Sequence, residues 1–369
     1  MKIFFDHQTF SIQSYGGISR YYSELLSGIN QTPSNEAHLL ALFSNNEYLN
    51  EKKILLPSFF PKTDFPKKQQ FLYRINEAYS TVKMCMSQYD IFHATYYNSY
   101  FIPYLKKRPF VVTFLDMIHE KFSNQFYELA ADKVITSQKA IMANKADAII
   151  TISESTKQDV VELFNIDPVK IKVIYLGNSL KINNNILVEN EFIKIEPYLL
   201  FVGRRGHYKN FQGLVQAIYP LLKQYSLNLL CGGGDPFSKE EVLLLQKLGV
   251  EKLVKYIPVD DYTLQTLYQN AIAFVFPTLY EGFGIPILEA FACSCPCIVS
   301  NTSSLPEVAG NAALYIDPLS PDSIADAVEK LVNDQTLRQE LIHRGQNRLL
   351  QFSWKKTVDE TLALYRSIS

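Results

Sequence analysis

The chain of 369 residues is longer than the size at which one hydrophobic core usually stops growing, so two domains are the default expectation. With 47% hydrophobic residues, 20% charged residues and a formal net charge of -1, it reads as an ordinary globular protein and gives no global reason to expect nucleic-acid binding. No apolar run reaches the roughly 18 to 20 residues of a membrane span, and MKIFFDHQTF turns polar too soon for a signal peptide, so a cytoplasmic protein is expected, with peripheral contact to the membrane left open.

Short apolar runs alternate with amphipathic stretches, the pattern of βα units and mainly parallel sheets. In the first half, strands are expected at KIFFD (2–6), HLLALF (38–43), DIFHA (90–94), FVVTF (110–114), DAIITIS (147–153) and IKVIYLG (171–177). Helices belong between them, over Ser19 to Ile29, Phe71 to Gln88, Asn124 to Lys145 and Glu154 to Phe164. KINNNILVENEFIKIE is polar and aperiodic, after which the pattern restarts with PYLLFVG (197–203), LNLLCGG (227–233), LVKYIP (253–258), AIAFVFP (271–277), PCIVS (296–300) and AALYI (312–316). From Pro321 the pattern is helical, with a break near Phe352, Ser353 and Trp354 before a last amphipathic helix. The expected fold class is α/β, with two Rossmann-like, doubly wound parallel-sheet domains over 1–178 and 197–352. A linker over 179–196 joins them, and the helix over 353–369 crosses back to the first domain. Ligands of such domains bind at the carboxyl ends of the strands, which places function in an interdomain cleft.

Several loops at those strand ends carry chemistry. Gly16 and Gly17 open the first long helix, a backbone nest suited to a phosphate or a sugar, with Arg20 one turn further on. Between Glu51 and Phe110 ten basic residues stand against four acidic ones among many Tyr and Phe residues, a surface able to settle on an anionic leaflet or hold a lipid-diphosphate acceptor. TFLDMIHEKF offers Asp116, His119 and Glu120 after a buried strand, and His93 closes an earlier one. VGRRGHYKN places Arg204, Arg205 and Lys209 where basic donors neutralise a diphosphate, with the choice between the two arginines open. CGGGD (231–235) is a weaker glycine turn, and Lys255 and Tyr256 close the next strand, where a nucleobase could rest.

YEGFGIPILEA (280–290) is the densest of these segments. Gly282 and Gly284 permit a tight turn, and Pro286 suits the opening of a helix, whose N-terminus favours an anion. Glu281 and Glu289 can accept hydrogen bonds from sugar or ribose hydroxyls at two ends of one elongated ligand. The cysteines of CSCPC (Cys293, Cys295, Cys297) lack a second Cys pair or a His-x-x-x-His partner, so they read as small core residues and no metal ligand is expected. No Asp-x-Asp occurs, which points away from a Mg²⁺- or Mn²⁺-held diphosphate and towards leaving-group stabilisation by Arg, Lys and helix ends.

These residues resemble the family 4 retaining glycosyltransferases, the glycogen-synthase-like group with the two-domain GT-B fold. The resemblance rests on GGISRY, TISEST, KIKVIYLGN, VGRRGHYKNF, YEGFGIPILEA, and SNTSSLPEVAG followed by LYIDP, and spans nearly the whole chain. It implies that Glu289 holds the nucleotide ribose and Glu281 the donor sugar. The backbone of Gly282, Phe283, Gly284 and Ile285 would line sugar and phosphate, and Arg204 or Arg205 with Lys209 would hold the diphosphate. Gly17 would approach the diphosphate from the opposite domain, and Asp116, His119 and Arg20 are candidate sugar or acceptor contacts.

The reaction so implied moves a hexose, mannose or rhamnose or similar, from a nucleoside-diphosphate sugar to a glycan or lipid-linked acceptor of a bacterial surface polysaccharide. It uses no metal, and the acceptor hydroxyl passes its proton to the departing phosphate oxygen on the sugar's front face. Two departures stand out: Leu115 precedes Asp116 where many relatives carry His, and Ser294 stands where relatives usually carry Gly. A nucleotide-sugar epimerase or phosphorylase on the same scaffold, or a non-catalytic two-lobed binding protein, are the rival readings.

Overall fold

The computed structural model of the chain describes residues 1–123, 125–126, 133–180, 182 and 197–369. Most of the expected linker over 179–196, and the first part of the helix expected from Asn124, lie outside the described residues. The chain divides into two compact units, one of Met1–Leu176 with Trp354–Ser369 and one of Gly177–Ser353.

All twelve apolar runs form strands. In the first unit these are β1 (Lys2–Asp6), β2 (Glu36–Leu40), β3 (Ile91–Ala94), β4 (Phe110–Phe114), β5 (Ala148–Thr151) and β6 (Ile171–Val173). They form one sheet in the order β2-β1-β3-β4-β5-β6, with every pairing parallel. The second unit contains β7 (Tyr198–Val202), β8 (Asn228–Gly232), β9 (Val254–Ile257), β10 (Ala273–Phe276), β11 (Cys297–Ser300) and β12 (Ala313–Ile316). Their order is β12-β11-β10-β7-β8-β9, again all parallel. Every residue of β4, β7, β8 and β10 is buried, because helices cover both faces of a parallel sheet, and this is why the runs read as continuously apolar rather than alternating.

Strand ends depart from the runs where side chains take over the ladder. β2 pairs Lys2 with Glu36 through Asp6 with Leu40 and stops there, because the Asn76 side-chain oxygen accepts the N–H groups of Leu42 and Phe43 at 2.9 and 3.1 Å. Helix starts are equally local. In TISEST the Ser153 hydroxyl accepts from the Thr156 N–H at 3.0 Å and opens the helix Glu154–Phe164.

The first core joins Phe92, Phe101, Phe110 and Phe114 to Met84 and Met142. The second packs the helices Phe211–Gln224 and Pro321–Asn333 over Leu199, Phe201, Leu229 and Val275. Each fully buried side chain of this size contributes about 1.5 to 3 kcal/mol. The last helix, Trp354–Ile368, belongs to the first unit and lies on the helix Gly17–Asn30. Gly28 makes the approach possible: a Cβ there would stand 2.6 Å from Val358 Cγ2. Thr357 Oγ1 donates to the Tyr175 carbonyl at 2.7 Å, and the buried Tyr365 hydroxyl bonds His93 Nδ1.

Candidate active site

In the second sheet β7, the first strand in sequence, lies between β8 and β10, so the direction of winding reverses beside it. Loops that leave two neighbouring strands at such a point diverge and form a crevice. They are 203–210, after β7, and 277–284, after β10. The loops are stitched together. The Tyr208 carbonyl accepts the Leu279 N–H at 2.7 Å and the Thr278 hydroxyl at 3.1 Å. This brings Lys209 into an ion pair with Glu281, two residues 72 positions apart whose side chains are each 15% exposed. The Lys209 ammonium also lies 5.3 Å from the centre of the Phe276 ring.

The Glu281 backbone is fixed on both sides. Its N–H donates to Ser303 Oγ at 3.0 Å, and the Ser304 hydroxyl lies 3.0 Å from the Glu281 carbonyl and 2.9 Å from that of Phe283. Gly282 is buried, and the Phe283 ring turns away into the core, edge-on to Phe352 at 5.8 Å, so that position offers its backbone. Gly284 has φ +104°, and a Cβ there would come within 2.9 Å of Leu305 Cδ2, so the turn requires glycine. The helix Ile285–Ala292 starts immediately afterwards, with proline at its second position. In its second turn Glu289 is buried and accepts from the Tyr268 hydroxyl at 3.3 Å.

The two arginines separate clearly. Arg205 points into the unit: its Nε donates to Glu241 Oε1 at 2.8 Å, and its Nη2 to the Asp235 carbonyl. The guanidinium lies 4.6, 5.7 and 5.8 Å from the ring centres of Phe237, Phe211 and Tyr256, with a side chain only 4% exposed. Glu241 in turn forms a capping box with Ser238 at the start of the helix Lys239–Leu248. Arg205 thereby clamps the loop after β7 to the glycine turn after β8. Arg204 is exposed. A Cβ on Gly234 would meet Arg204 Cα and the Gly203 carbonyl at 3.1 Å each, so the CGGGD glycine lets the two loops touch. Tyr256 belongs to the wall around Arg205 and donates to the Gly234 carbonyl at 3.1 Å, while Lys255 beside it is exposed on the edge strand β9.

The first unit has its own reversal, where β1 lies between β2 and β3. Gly16 caps the helix Gly17–Asn30, and a Cβ on Gly17 would meet nothing within 4 Å. Arg20 stacks over Tyr48 at 4.8 Å. Asp116 is 40% exposed at its side chain and lies 3.9 Å from Lys139 Nζ. Glu120 is committed instead to the buried Lys139 at 2.9 Å, and His119 is half-buried. His93 is fully buried between Thr113 Oγ1, at 2.9 Å from Nε2, and Tyr365, and burial lowers its pKa to about 3, so it is a neutral structural imidazole.

Burial also pushes the Cys293 thiol up to about 12 and raises those of Cys295 and Cys297 further. They sit in the core as protonated thiols. Among the described residues no group of three or more His, Cys, Asp or Glu side chains is placed to hold a metal ion. Ser294 has φ +58°, the left-handed conformation that explains why glycine is usual there; its hydroxyl accepts from Gln346 Nε2 at 2.9 Å.

Two family models divide the chain between them: "Glycosyltransferase Family 4" matches residues 15–180 and "Glycosyl transferases group 1" matches residues 183–348. An O-antigen chain mannosyltransferase B of Escherichia coli is 27% identical over 374 residues, covering 95% of this chain and 96% of its own. The chain belongs to the family 4 glycosyltransferases. Its GT-B fold is shared with a sucrose-phosphate synthase of Thermosynechococcus elongatus, at a TM-score of 0.78 and 19% identity over 100% of this chain and 98% of the other. Anabaena HepE in complex with UDP and glucose aligns at a TM-score of 0.76 and 16% identity, over 100% of both chains.

In this glycosyltransferase, residues without an individual role in the sequence reading also shape the strand-end turns. Ser303 and Ser304 lie in the SSLPEVAG motif, but their grip on Glu281 and Phe283 is visible only once the turn is folded. At the end of β1, Asp6 is fully buried and bonds Thr95 Oγ1 and Gln8 Nε2, both at 2.6 Å; burial raises its pKa to about 6. His7 beside it is buried, with its pKa lowered to about 3 by the same cause. A polar DHQT run directly after an apolar strand was the available signal.

Proposed function

We propose that the protein is a retaining hexosyltransferase that moves a hexose from a nucleoside-diphosphate sugar to a glycan or lipid-linked oligosaccharide, without a metal ion. The observation that carries this reading is the Lys209–Glu281 pair, held between two strand-end loops and largely shielded from water. A lysine there supplies the positive charge a departing diphosphate needs, and its carboxylate partner is placed to accept from a sugar hydroxyl. Arg204, exposed on the same loop as Lys209, is the arginine assigned to the diphosphate, and Arg205 the one that positions its loop. Glu289, preset by Tyr268, is assigned to the ribose.

In the transfer the bond between the anomeric carbon and the diphosphate oxygen breaks, the acceptor oxygen bonds that carbon, and its proton passes to the departing phosphate. The relative named for O-antigen mannosyl transfer supports a mannose-like hexose, and the neighbour solved with UDP and glucose supports a nucleoside-diphosphate donor.

The test is a thermal-shift screen of the whole chain with UDP, GDP, ADP and dTDP and their sugars, followed by transfer in EDTA with the donor that binds. Binding to the native state raises the melting point. A shift with one nucleotide that is lost in Glu289→Ala, and turnover that persists in EDTA, are expected. Turnover that collapses in EDTA and returns with Mg²⁺ would overturn the metal-free reading.

A further inference from the structure

The helix Lys68–Met86 of the first unit is turned inside out. Its buried positions are Leu72, Asn76, Ser80 and Met84, two of them polar. Asn76 accepts the Leu42 and Phe43 N–H groups and donates to Ser11 Oγ and the Phe43 carbonyl, both at 2.8 Å. Ser80 accepts from the Tyr100 hydroxyl at 2.8 Å. These bonds fix the rotation of the helix about its axis. Its outward positions Phe71, Ile75, Val82 and Met86 are 55%, 37%, 53% and 81% exposed. At about 100° per residue they fall within a sector of roughly 60° and form one apolar line about 22 Å long. A surface helix of a globular protein normally turns such a stripe to its core.

The surface continues beyond the helix. Lys68 Nζ donates to the Phe60 carbonyl at 2.9 Å, which docks a chain of rings onto the first turn. Phe59 to Phe60, Phe60 to Phe65, and Phe65 to Phe71 are 5.0, 5.7 and 6.2 Å apart, and Phe60 is 56% exposed. Cations flank both ends. Lys67 at the N-cap and Arg74 and Lys83 on the helix are exposed, against Glu77 as the helix's one acidic residue, and Lys106 Nζ reaches the Cys85 carbonyl at 3.2 Å, bringing Lys106 and Lys107 to the far end.

We infer that this face is a docking surface for an anionic lipid bilayer, with the helix lying in the plane of the headgroups. An apolar stripe rimmed by Lys and Arg matches that interface in both polarity and charge, the stripe entering the headgroup–acyl boundary and the cations meeting anionic lipid. No helix among the described residues is long and apolar enough to cross a membrane, so attachment of this kind would be peripheral. For its purpose the inference rests on the lipid-linked acceptor proposed above; the binding itself does not depend on it.

Cys85 provides the probe, because it is exposed on this helix while the other four cysteines are buried. An environment-sensitive dye on Cys85 of the full chain is titrated with vesicles of phosphatidylcholine alone or with 30% phosphatidylglycerol, in parallel with vesicle sedimentation of unlabelled protein. A blue shift and sedimentation are expected with the anionic vesicles, weakening as salt is raised. Ile75→Gln with Val82→Gln should reduce partitioning about tenfold or more, and Lys67→Gln with Arg74→Gln should do the same at low salt.

Nucleotide binding should be unchanged in both variants, which also reports that they are folded. Absent binding to anionic vesicles, or variants that bind as the parent does, overturn the inference and leave the transferase reading intact. A parent dimer by light scattering that dissociates in Ile75→Gln with Val82→Gln assigns the face to self-association and overturns it equally.

Discussion

Replacing Lys209 by Ala tests the centre of the proposed mechanism. The ammonium and the Glu281 carboxylate are in contact with both side chains 15% exposed, an environment closer to protein interior than to water. At an effective dielectric constant near 20, unit charges about 4 Å apart interact by about 4 kcal/mol. Lys209→Ala removes the charge that would meet the departing diphosphate and leaves the Glu281 carboxylate to repel it. Losing one such preorganised group typically costs about 3 to 4 kcal/mol in the transition state, so kcat/KM is expected to fall by about 10²- to 10³-fold. Because the second effect runs through Glu281, Lys209→Ala with Glu281→Gln should be no worse than Lys209→Ala alone, a strongly non-additive cycle. Nucleoside-diphosphate release measures turnover, and calorimetry with the free nucleoside diphosphate measures the ground state. A Lys209→Ala enzyme within roughly threefold of the parent, or two losses that simply add, would refute the assignment.

The two arginines should part company. Arg204→Ala should weaken nucleoside-diphosphate binding about tenfold and leave the melting temperature unchanged, whereas Arg205→Ala should destabilise the protein by about 3 kcal/mol, because it strands Glu241, with denaturant unfolding as the measurement. Gly284→Ala forces a left-handed residue against Leu305 and should cost about 2 kcal/mol of stability by the same assay; a neutral result would mean that the turn relaxes. Acid stability should follow the buried histidines. His7 and His93 have depressed folded pKa values near 3, so their contribution is present above the unfolded value and is lost as pH falls, while Asp6, raised to about 6, opposes them by favouring the folded state at lower pH. Between pH 6 and 4 the two bases outweigh the one acid by one proton, and unfolding free energy should drop by about 1.4 kcal/mol per pH unit, a slope that His93→Gln should flatten.

The sequence by itself determined the sheets. A strand buried on both faces must be apolar at every position, so LLF, LLC and FVF mark themselves regardless of their neighbours, and the alternation with amphipathic helices dictates parallel pairing. It also determined the turn at Gly284 and the presence of Glu281, Lys209 and Glu289 near strand ends, because glycine and charge after an apolar run are local signals. What it left open depends on direction and on distance along the chain. Arg204 and Arg205 are adjacent and chemically identical; only the positions of Glu241 and the rings of Phe237, Phe211 and Tyr256 decide which guanidinium is buried. His93 at the end of its strand has no partner visible in the sequence, because the hydroxyl that holds its ring nitrogen belongs to Tyr365, 272 residues away. The serines that hold Glu281 are 22 and 23 residues further along the chain. Composition showed a basic and aromatic stretch but not the face it occupies, since the rotation of the helix Lys68–Met86 is set by Asn76 and Ser80 through bonds to distant backbone and side chains. Periodicity is a property of neighbours in sequence, whereas pairing, burial and orientation belong to contacts that only the folded chain makes.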